Sequence, residues 1–259
     1  FYEVAADQVI TLEMEKSGLS ETPIEPGVND RVKLFSRVEI EGLKFKHKED
    51  AYVDLTREHL VPHNLSAEGP ALAVGDINMN GLEDLFLGGA TGQAAMLFSQ
   101  QKNGTFAKVH LPLLINDRLT EDVDAAFFDA DGDGDSDLYI VHGGNGVAIG
   151  NHLLADLLLI NNGKGAFSRC AEGSLPDMVN NGSCVRPADY DGDGDQDLFV
   201  GSRSLPGAYG LSPAQFLLEN DGLGNFKDVT EDRTKGMKNA GMVTDASWLD
   251  YDQDGDPDL

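Results

Sequence analysis

One nine-residue stretch organises the chain: Asp129-Ala130-Asp131-Gly132-Asp133-Gly134-Asp135-Ser136-Asp137. It recurs as Asp189 to Asp197, as Asp250 to Asp258 and, more loosely, as Asp76 to Asp84. Counted from its first aspartate, each copy has an oxygen-bearing side chain at places 1, 3, 5 and 9 and a glycine at place 6. In chain order we call the four stretches loop one (76–84), loop two (129–137), loop three (189–197) and loop four (250–258).

The spacing of these oxygens suits a calcium ion. Ca²⁺ takes six to eight oxygen ligands at about 2.3–2.6 Å in a flexible shell, and glycine at place 6 permits the sharp turn of the loop. The predicted side-chain ligands are Asp76, Asn78, Asn80 and Asp84, then Asp129, Asp131, Asp133 and Asp137, then Asp189, Asp191, Asp193 and Asp197, and finally Asp250, Asp252, Asp254 and Asp258. The carbonyls of Leu82, Asp135, Asp195 and Asp256 are predicted to complete the shells. Up to four ions are expected, with loop one the weakest site because two amides replace carboxylates.

Other interpretations of the four loops are less favourable. Acidic turns without an ion would bring like charges together, and two carboxylates about 4 Å apart repel by roughly 4 kcal/mol at an effective dielectric of 20. Magnesium prefers a rigid octahedron and keeps several waters, and the sequence has no clustered Cys/His set for zinc. An EF-hand would close with Glu at place 12 between two helices, whereas here the closing residue is Asp at place 9.

The flanks of the loops indicate strands. Short apolar runs precede and follow the loops, and such runs bounded by Gly and Asp are typical of β-strands. The runs before the loops are 71–74, 125–128, 184–188 and 246–249, and those after are 85–87, 138–141 and 198–200. Each loop is therefore predicted to join the two strands of a hairpin.

A second hairpin follows in each of the first three repeats. Apolar runs at 96–98, 157–160 and 216–218 lead to Asn-Gly or Asp-Gly turns and then to Phe106, Phe167 and Phe226, a pattern that favours a tight antiparallel turn. The loop starts are separated by 53, 60 and 61 residues, a period typical of propellers and arrays. Two hairpins per repeat predict an all-β fold, a β-propeller of four-stranded blades starting near 71, 125, 185 and 246.

Charge and hydropathy limit the partners. Lys and Arg total 19 against 45 Asp and Glu, giving a formal charge of −26, so nucleic acid and anionic membrane surfaces are poor partners. No apolar run approaches the roughly 20 residues of a membrane-spanning helix. Because the sequence begins at Phe1 and ends directly after loop four, we expect it to be a piece of a longer protein with an incomplete set of blades.

Residues 1–65 lack the repeat and are predicted to form N-terminal strands and a linker, with an adjoining or closing blade as one possible place for them. Strands are expected at 9–12 and 32–35, and Lys44, Lys46 and Lys48 alternate with Phe45 and His47 as on an exposed strand face. Cys170 and Cys184 are equally compatible with a disulfide and with two free thiols.

The repeat resembles the FG-GAP/VCBS repeats of integrin α-subunit-like β-propellers. The resemblance rests on 129–138, 189–198, 250–259 and, less strictly, 76–85, and it covers about 65–259. The stretch from Gly69 to Asp76 and the Asn-Gly-x-Gly-x-Phe turn look like the bacterial, cartilage-acidic-protein-like branch. The resemblance implies structural calcium sites at the loop positions named above and an extracellular, cell-surface or periplasmic location. The amides of loop one depart from the pattern.

Two functions remain open at this stage. One is a non-catalytic recognition or scaffold module, which binds a protein or glycan on the loops between hairpins and is braced by calcium. The other is a calcium-stabilised enzyme acting on polysaccharide, a lyase or hydrolase. The sequence contains no Gly-x-Ser-x-Gly, His-Glu-x-x-His or P-loop motif, but a carboxylate pair needs no motif, and Glu58, Glu83, Glu121 and Asp122 are its candidates. We favour the non-catalytic module.

Overall fold

Three four-stranded antiparallel sheets carry the fold of the described residues, 38–67 and 69–259, in the computed structural model. The first sheet contains β1 (Leu72–Gly75), β2 (Asp84–Leu87), β3 (Met96–Gln100) and β4 (Phe106–Val109). The second contains β5 (Asp122–Phe128), β6 (Asp137–His142), β7 (Leu157–Ile160) and β8 (Ser168–Arg169). The third contains β9 (Asn181–Ala188), β10 (Asp197–Ser204), β11 (Phe216–Asn220) and β12 (Phe226–Asp228). In each sheet the strands lie in chain order, as in a propeller blade.

The acidic loops turn the first hairpin of each sheet, as predicted. Gly75 pairs with Asp84, Phe128 with Asp137 and Ala188 with Asp197. In all three hairpins, the residue just before place 1 therefore pairs with the aspartate at place 9. This register brings the two ends of each loop together.

The second hairpins are also present. The strands β3 and β4, β7 and β8, and β11 and β12 pair across the Gly-containing turns. Gly104, Gly163 and Gly222 all have φ between +69° and +82°, a region that glycine enters without steric cost. One detail differs: Phe167 precedes the two-residue strand β8 instead of opening it.

The core lies between neighbouring sheets. Strand β6 is buried on both faces, and its side chains alternate as a strand requires: Leu138 and Ile140 join the cluster shared with the first sheet, while Tyr139 and Val141 join the cluster shared with the third. This explains why residues 138–141 form a continuous apolar run without polar alternation.

The fourth repeat contributes a bridge and not a strand. Leu249 and Asp258 pair across loop four, but a strand needs consecutive paired residues, so the strand predicted at 246–249 is not formed. The segment instead packs on the third sheet, where Trp248 Nε1 donates to the Arg186 carbonyl at 3.0 Å and its ring stacks on Tyr190. Over the described residues the sheets do not close into a ring, which confirms an incomplete propeller.

Residues 40–259 form one compact unit. The strands predicted at 9–12 and 32–35 lie outside the described residues. Lys44, Lys46 and Lys48 are exposed in alternation with Phe45 and His47, but the strand face predicted there is wrong. The Gln93 side chain, and not a neighbouring strand, bonds the backbone of Lys46 and Lys48 at 2.9 and 2.8 Å.

Helical structure is sparse in the part of the chain that the structure describes. The α-helices are α1 (Pro112–Asn116) and α2 (Thr230–Arg233), and no helix there has the length and apolarity needed to cross a membrane. Cys170 and Cys184 are free thiols, the former half-buried and the latter buried, so the disulfide alternative does not hold in this structure.

Candidate metal centres

The aspartate at place 1 shapes each of loops two and three. The Asp129 carboxylate accepts the N–H groups of Gly132 at 2.8 Å and Gly134 at 3.0 Å. In loop three, Asp189 does the same with Gly192 and Gly194. Gly134 has φ +89° and Gly194 has φ +101°, so the backbone wraps around the carboxylate as the place-6 glycine predicts.

The aspartate at place 9 ties each loop to the sheet. Asp137 is fully buried and accepts the N–H of Ala130 at 2.8 Å and of Asn161 at 2.7 Å. Asp197 accepts equivalent bonds from Tyr190 and Asn220. Each place-9 carboxylate therefore joins the start of its own loop to the third strand of its blade.

Carboxylate oxygens converge in three of the loops. Side-chain oxygens from three aspartates lie within 4.8 Å of one another in each, and the sets are Asp129, Asp131 and Asp137, then Asp189, Asp191 and Asp197, then Asp250, Asp252 and Asp254. Of the remaining predicted ligands, Asp133 and Asp193 accept N–H groups of their own loops, and Asp258 accepts the Tyr251 N–H. The carbonyls predicted at Leu82, Asp135, Asp195 and Asp256 stay predictions.

The converging carboxylates disfavour one another's charge. Burial, then the negative charges of Asp131 and Asp135, raises the pKa of Asp137 to about 6 against two lowering hydrogen bonds. The pKa of Asp197 is likewise raised to about 6, by burial and then by Asp191 and Asp195. Desolvation and neighbouring charges thus act together, which is the signature of a site that lacks positive charge.

The donor set fits calcium. Asp131 Oδ1, Asp135 Oδ1 and Asp195 Oδ1 are buried, and no group in the described part of the chain hydrogen-bonds to them. All side-chain atoms that converge are carboxylate oxygens, the hard ligands that Ca²⁺ prefers. Loops two and three could hold the ion through places 1, 3 and 9, whereas the cluster in loop four uses places 1, 3 and 5 and is exposed.

The carboxylates of Asp76 and Asp84 in loop one accept hydrogen bonds from amide groups of the same loop. Asn78 Nδ2, at place 3, donates to Asp84 Oδ2 at 3.1 Å and to Ser99 Oγ at 2.9 Å. Although burial opposes it, the N–H groups of Gly81, Asn80 and Asn78 lower the pKa of Asp76. The amide of Asn78 therefore supplies the place-9 carboxylate with a donor that no residue at place 3 supplies in loops two and three.

Two asparagines that the sequence reasoning missed link neighbouring blades. Asn161 Nδ2 donates to the Ile77 carbonyl of loop one at 2.8 Å, and Asn220 Nδ2 donates to the Ala130 carbonyl of loop two at 2.9 Å. Both asparagines are buried and directly precede the turn of a second hairpin. Both asparagines occupy the same position in their repeats, and this shared position is the sequence signal that could have identified them.

Of the four carboxylates considered for catalysis, Glu121 and Asp122 both bind the backbone at 89–91, whereas Glu83 lies apart from them. Glu83 is exposed in loop one, Glu58 accepts the Tyr209 N–H, and Asp122 is buried 3.3 Å from His142 Nε2. Glu121 lines a cavity at the opposite end of the strands from the acidic loops. The structure therefore separates Glu83 from Glu121 by the length of a strand.

The family profile described as "FG-GAP-like repeat" matches residues 66–140 and 143–200, just over half of the 259 residues. The first match contains loops one and two and the second contains loop three, each between paired strands. No curated protein is significantly similar to the chain. On the profile match, the chain belongs to the FG-GAP-like repeat family.

Proposed function

We propose that the chain is a calcium-binding, non-catalytic propeller module that serves recognition or scaffolding outside the cytoplasm. The observation that carries the proposal is the convergence of three carboxylates in each of loops two and three, with orphaned buried oxygens beside them. A formal charge of −26 adds a general demand for cations.

Calcium would act as a brace within a blade. Place 1 holds the loop backbone, and place 9 holds the third strand through the N–H groups of Asn161 and Asn220. An ion bound by both places would therefore fix the loop against two strands. The Asn220 side chain extends this support to the neighbouring blade, because it also holds the Ala130 carbonyl.

Recognition would then fall to the connections at the other ends of the strands, where loops vary most freely on a rigid scaffold. A protein or glycan is the proposed partner. Extracellular modules commonly use calcium sites with dissociation constants of about 10⁻⁴–10⁻³ M, which suits a location outside the cytoplasm.

A thermal melt in EDTA, in about 1–5 mM CaCl₂ and in equal MgCl₂ tests the calcium half of the proposal. An ion that binds only the native state stabilises it by about 2.7 kcal/mol per site at 100 times its dissociation constant. We expect a calcium-specific rise in melting temperature that Asp131→Asn and Asp191→Asn each reduce. Equal melting temperatures in EDTA and calcium would overturn the proposal.

A further inference from the structure

A cavity of about 180 Å³ lies at the end of the first two sheets opposite the acidic loops. Its walls come from Asp50, Tyr52 and Ser66, from Thr91 between β2 and β3, from Leu119 and Glu121 before β5, and from Gly143, Gly144, Gly146, Val147 and Leu153 between β6 and β7. Leu119, Val147 and Leu153 make much of the lining apolar. For scale, roughly 150 Å³ is enough to hold a benzene molecule.

Two polar atoms at this cavity are buried without a hydrogen-bond partner in the described ranges: Glu121 Oε1 and Tyr52 Oη. Glu121 is 5% exposed. Its other oxygen, Oε2, is held by the N–H of Thr91 at 2.8 Å and by its hydroxyl at 3.0 Å. The carboxyl group is therefore fixed in orientation, and its Oε1 is left without a hydrogen bond among the described residues.

Two glycines keep the site open. A Cβ on Gly144 would lie 3.3 Å from Glu121 Cβ, and one on Gly146 would lie 3.7 Å from the Tyr52 ring. Gly144 also has φ +95°, which disfavours any larger residue. The backbone at 143–146 thus packs closely on both polar residues.

The charged side chains that line the cavity are acidic, and Arg57, outside the lining, donates to the carbonyls of Asn145 and Val147 at 3.3 and 2.9 Å. Asp50 lines the cavity together with Glu121, no lysine or arginine is among its described lining residues, and Glu49 lies close enough to act on Glu121 electrostatically. His47 pairs with Glu49 at 2.7 Å, and His142 lies 3.3 Å from the Asp122 carboxylate. The nearby imidazoles are therefore engaged with other carboxylates.

From this geometry we infer that the cavity binds a primary alkylammonium group, with its nitrogen at Glu121 Oε1 and Tyr52 Oη and its alkyl stem along Leu119, Val147 and Leu153. An ammonium carries three donors and no acceptor, which matches two orphaned oxygens in a negative site. A sugar would bring several hydroxyl groups into a site with two free oxygens, leaving buried polar groups unpaired. The inference deepens the recognition role proposed above but does not depend on calcium binding.

The affinity of the cavity for an ammonium group should depend on pH. Burial, aided by the charges of Glu49 and Asp50 and opposed by Thr91, raises the pKa of Glu121 to about 7. An alkylammonium stays charged up to about pH 10, so it binds the ionised carboxylate best. Its affinity should rise roughly tenfold from pH 6 to pH 8 as Glu121 loses its proton.

Calorimetric titration of the intact chain with n-butylamine at pH 8, in buffer with calcium and in buffer with EDTA, tests the inference. We expect n-butanol to bind at least tenfold more weakly, Glu121→Gln to weaken amine binding at least tenfold, and Tyr52→Phe to weaken it about threefold. Glu58→Gln, a change at an equally buried glutamate outside the cavity, should leave the affinity within about twofold. Nα-acetyl-lysine amide, in parallel, shows whether a lysine side chain enters as well as a free amine does.

Tighter binding of either amine than of n-butanol, lost in Glu121→Gln, supports the inference. Equal binding of amine and alcohol, no binding of either amine, or an affinity independent of pH would overturn it, and these three results need only the wild-type chain. A calcium-dependent melt that persists while amine binding fails would reject this site alone. Amine binding without a calcium effect would reject the calcium proposal alone.

Discussion

Loops one and two have the same backbone plan but opposite electrostatics. In both, place 1 accepts loop N–H groups and place 9 accepts one N–H from place 2 and one from the third strand. In loop one the Asn78 amide donates to Asp84. In loop two Asp131 stands at that place, and the pKa of Asp137 rises to about 6 through burial and neighbouring charge.

This difference separates two ways to stabilise one turn. Loop one supplies its own positive dipole to Asp84 through the Asn78 amide. Loop two collects negative charge that a cation would neutralise, so its stability should depend on the ion. Loop one has Asn78, Asn80 and Leu82 where loop two has Asp131, Asp133 and Asp135. The variants below alter the contrast in order of decreasing expected effect.

Removing the charge at place 9 should give the largest difference in stability between variants of loop one and loop two. In about 5 mM calcium, Asp137→Asn should lower the free energy of unfolding by about 3–5 kcal/mol, because a buried hydrogen-bonding group and the bound ion are lost together. Asp84→Asn should cost about 1–3 kcal/mol. Urea unfolding with and without calcium measures both, and equal losses in calcium and in EDTA for Asp137→Asn would contradict an ion in loop two.

Exchanging the place-3 residues should exchange the behaviour of the loops. Asn78→Asp removes the donors to Asp84 and Ser99 and adds like charge, so in EDTA it should destabilise the chain by about 1–3 kcal/mol, and calcium should restore much of the loss. Asp131→Asn should destabilise the chain less than Asn78→Asp does in EDTA, and loop two of this variant should no longer be stabilised by calcium. Thermal melts of the two variants check this, and Asn78→Asp without a new calcium response would argue against the role given to place 3.

Acid should weaken the ion sites in loops two and three. A carboxyl whose pKa is raised in the folded, calcium-free protein favours folding below its unfolded value, near 4, and loses that contribution as the pH rises through about 6. Calcium reverses the preference, because it binds the ionised form. Calcium affinity should therefore fall roughly tenfold from pH 7 to pH 5, measured by calorimetric titration, and an unchanged affinity would place the ion elsewhere.

The smallest effect is expected at the contact between blades. Asn220→Ala frees the Ala130 carbonyl of loop two and should weaken calcium binding there about threefold, or about 0.7 kcal/mol. Asn225→Ala, in the next turn, is the matched control and should leave calcium affinity unchanged. Calorimetric titration of the two variants with calcium measures the two affinities. Equal losses of affinity would mean that Asn220 has no specific role.

The strands and hairpins followed from local sequence signals. Apolar runs such as 138–141 and the Asn-Gly turns act over a few residues, and the repeat spacing fixed their grouping into blades. For the contrast between loops one and two, the sequence predicted only the direction: Asn78 indicated a weaker calcium site in loop one. The hydrogen bonds from Asn78 to Asp84 and Ser99 could not be predicted, because they depend on the folded hairpin. The contacts of Asn161 and Asn220 and the hydrogen bonds from Thr91 to Glu121 join residues far apart in sequence, so periodicity could not reveal them.

The most direct test is the number of calcium ions that loops two and three bind. Calorimetric titration of the calcium-free chain should show two comparable sites, with any binding by loops one and four weaker, and Asp131→Asn and Asp191→Asn should each remove one of the two. Asn78→Asp should add a further site. A wild-type chain that takes up no calcium at millimolar concentration, or one whose stoichiometry survives both substitutions together, would contradict the assignment of calcium to these loops.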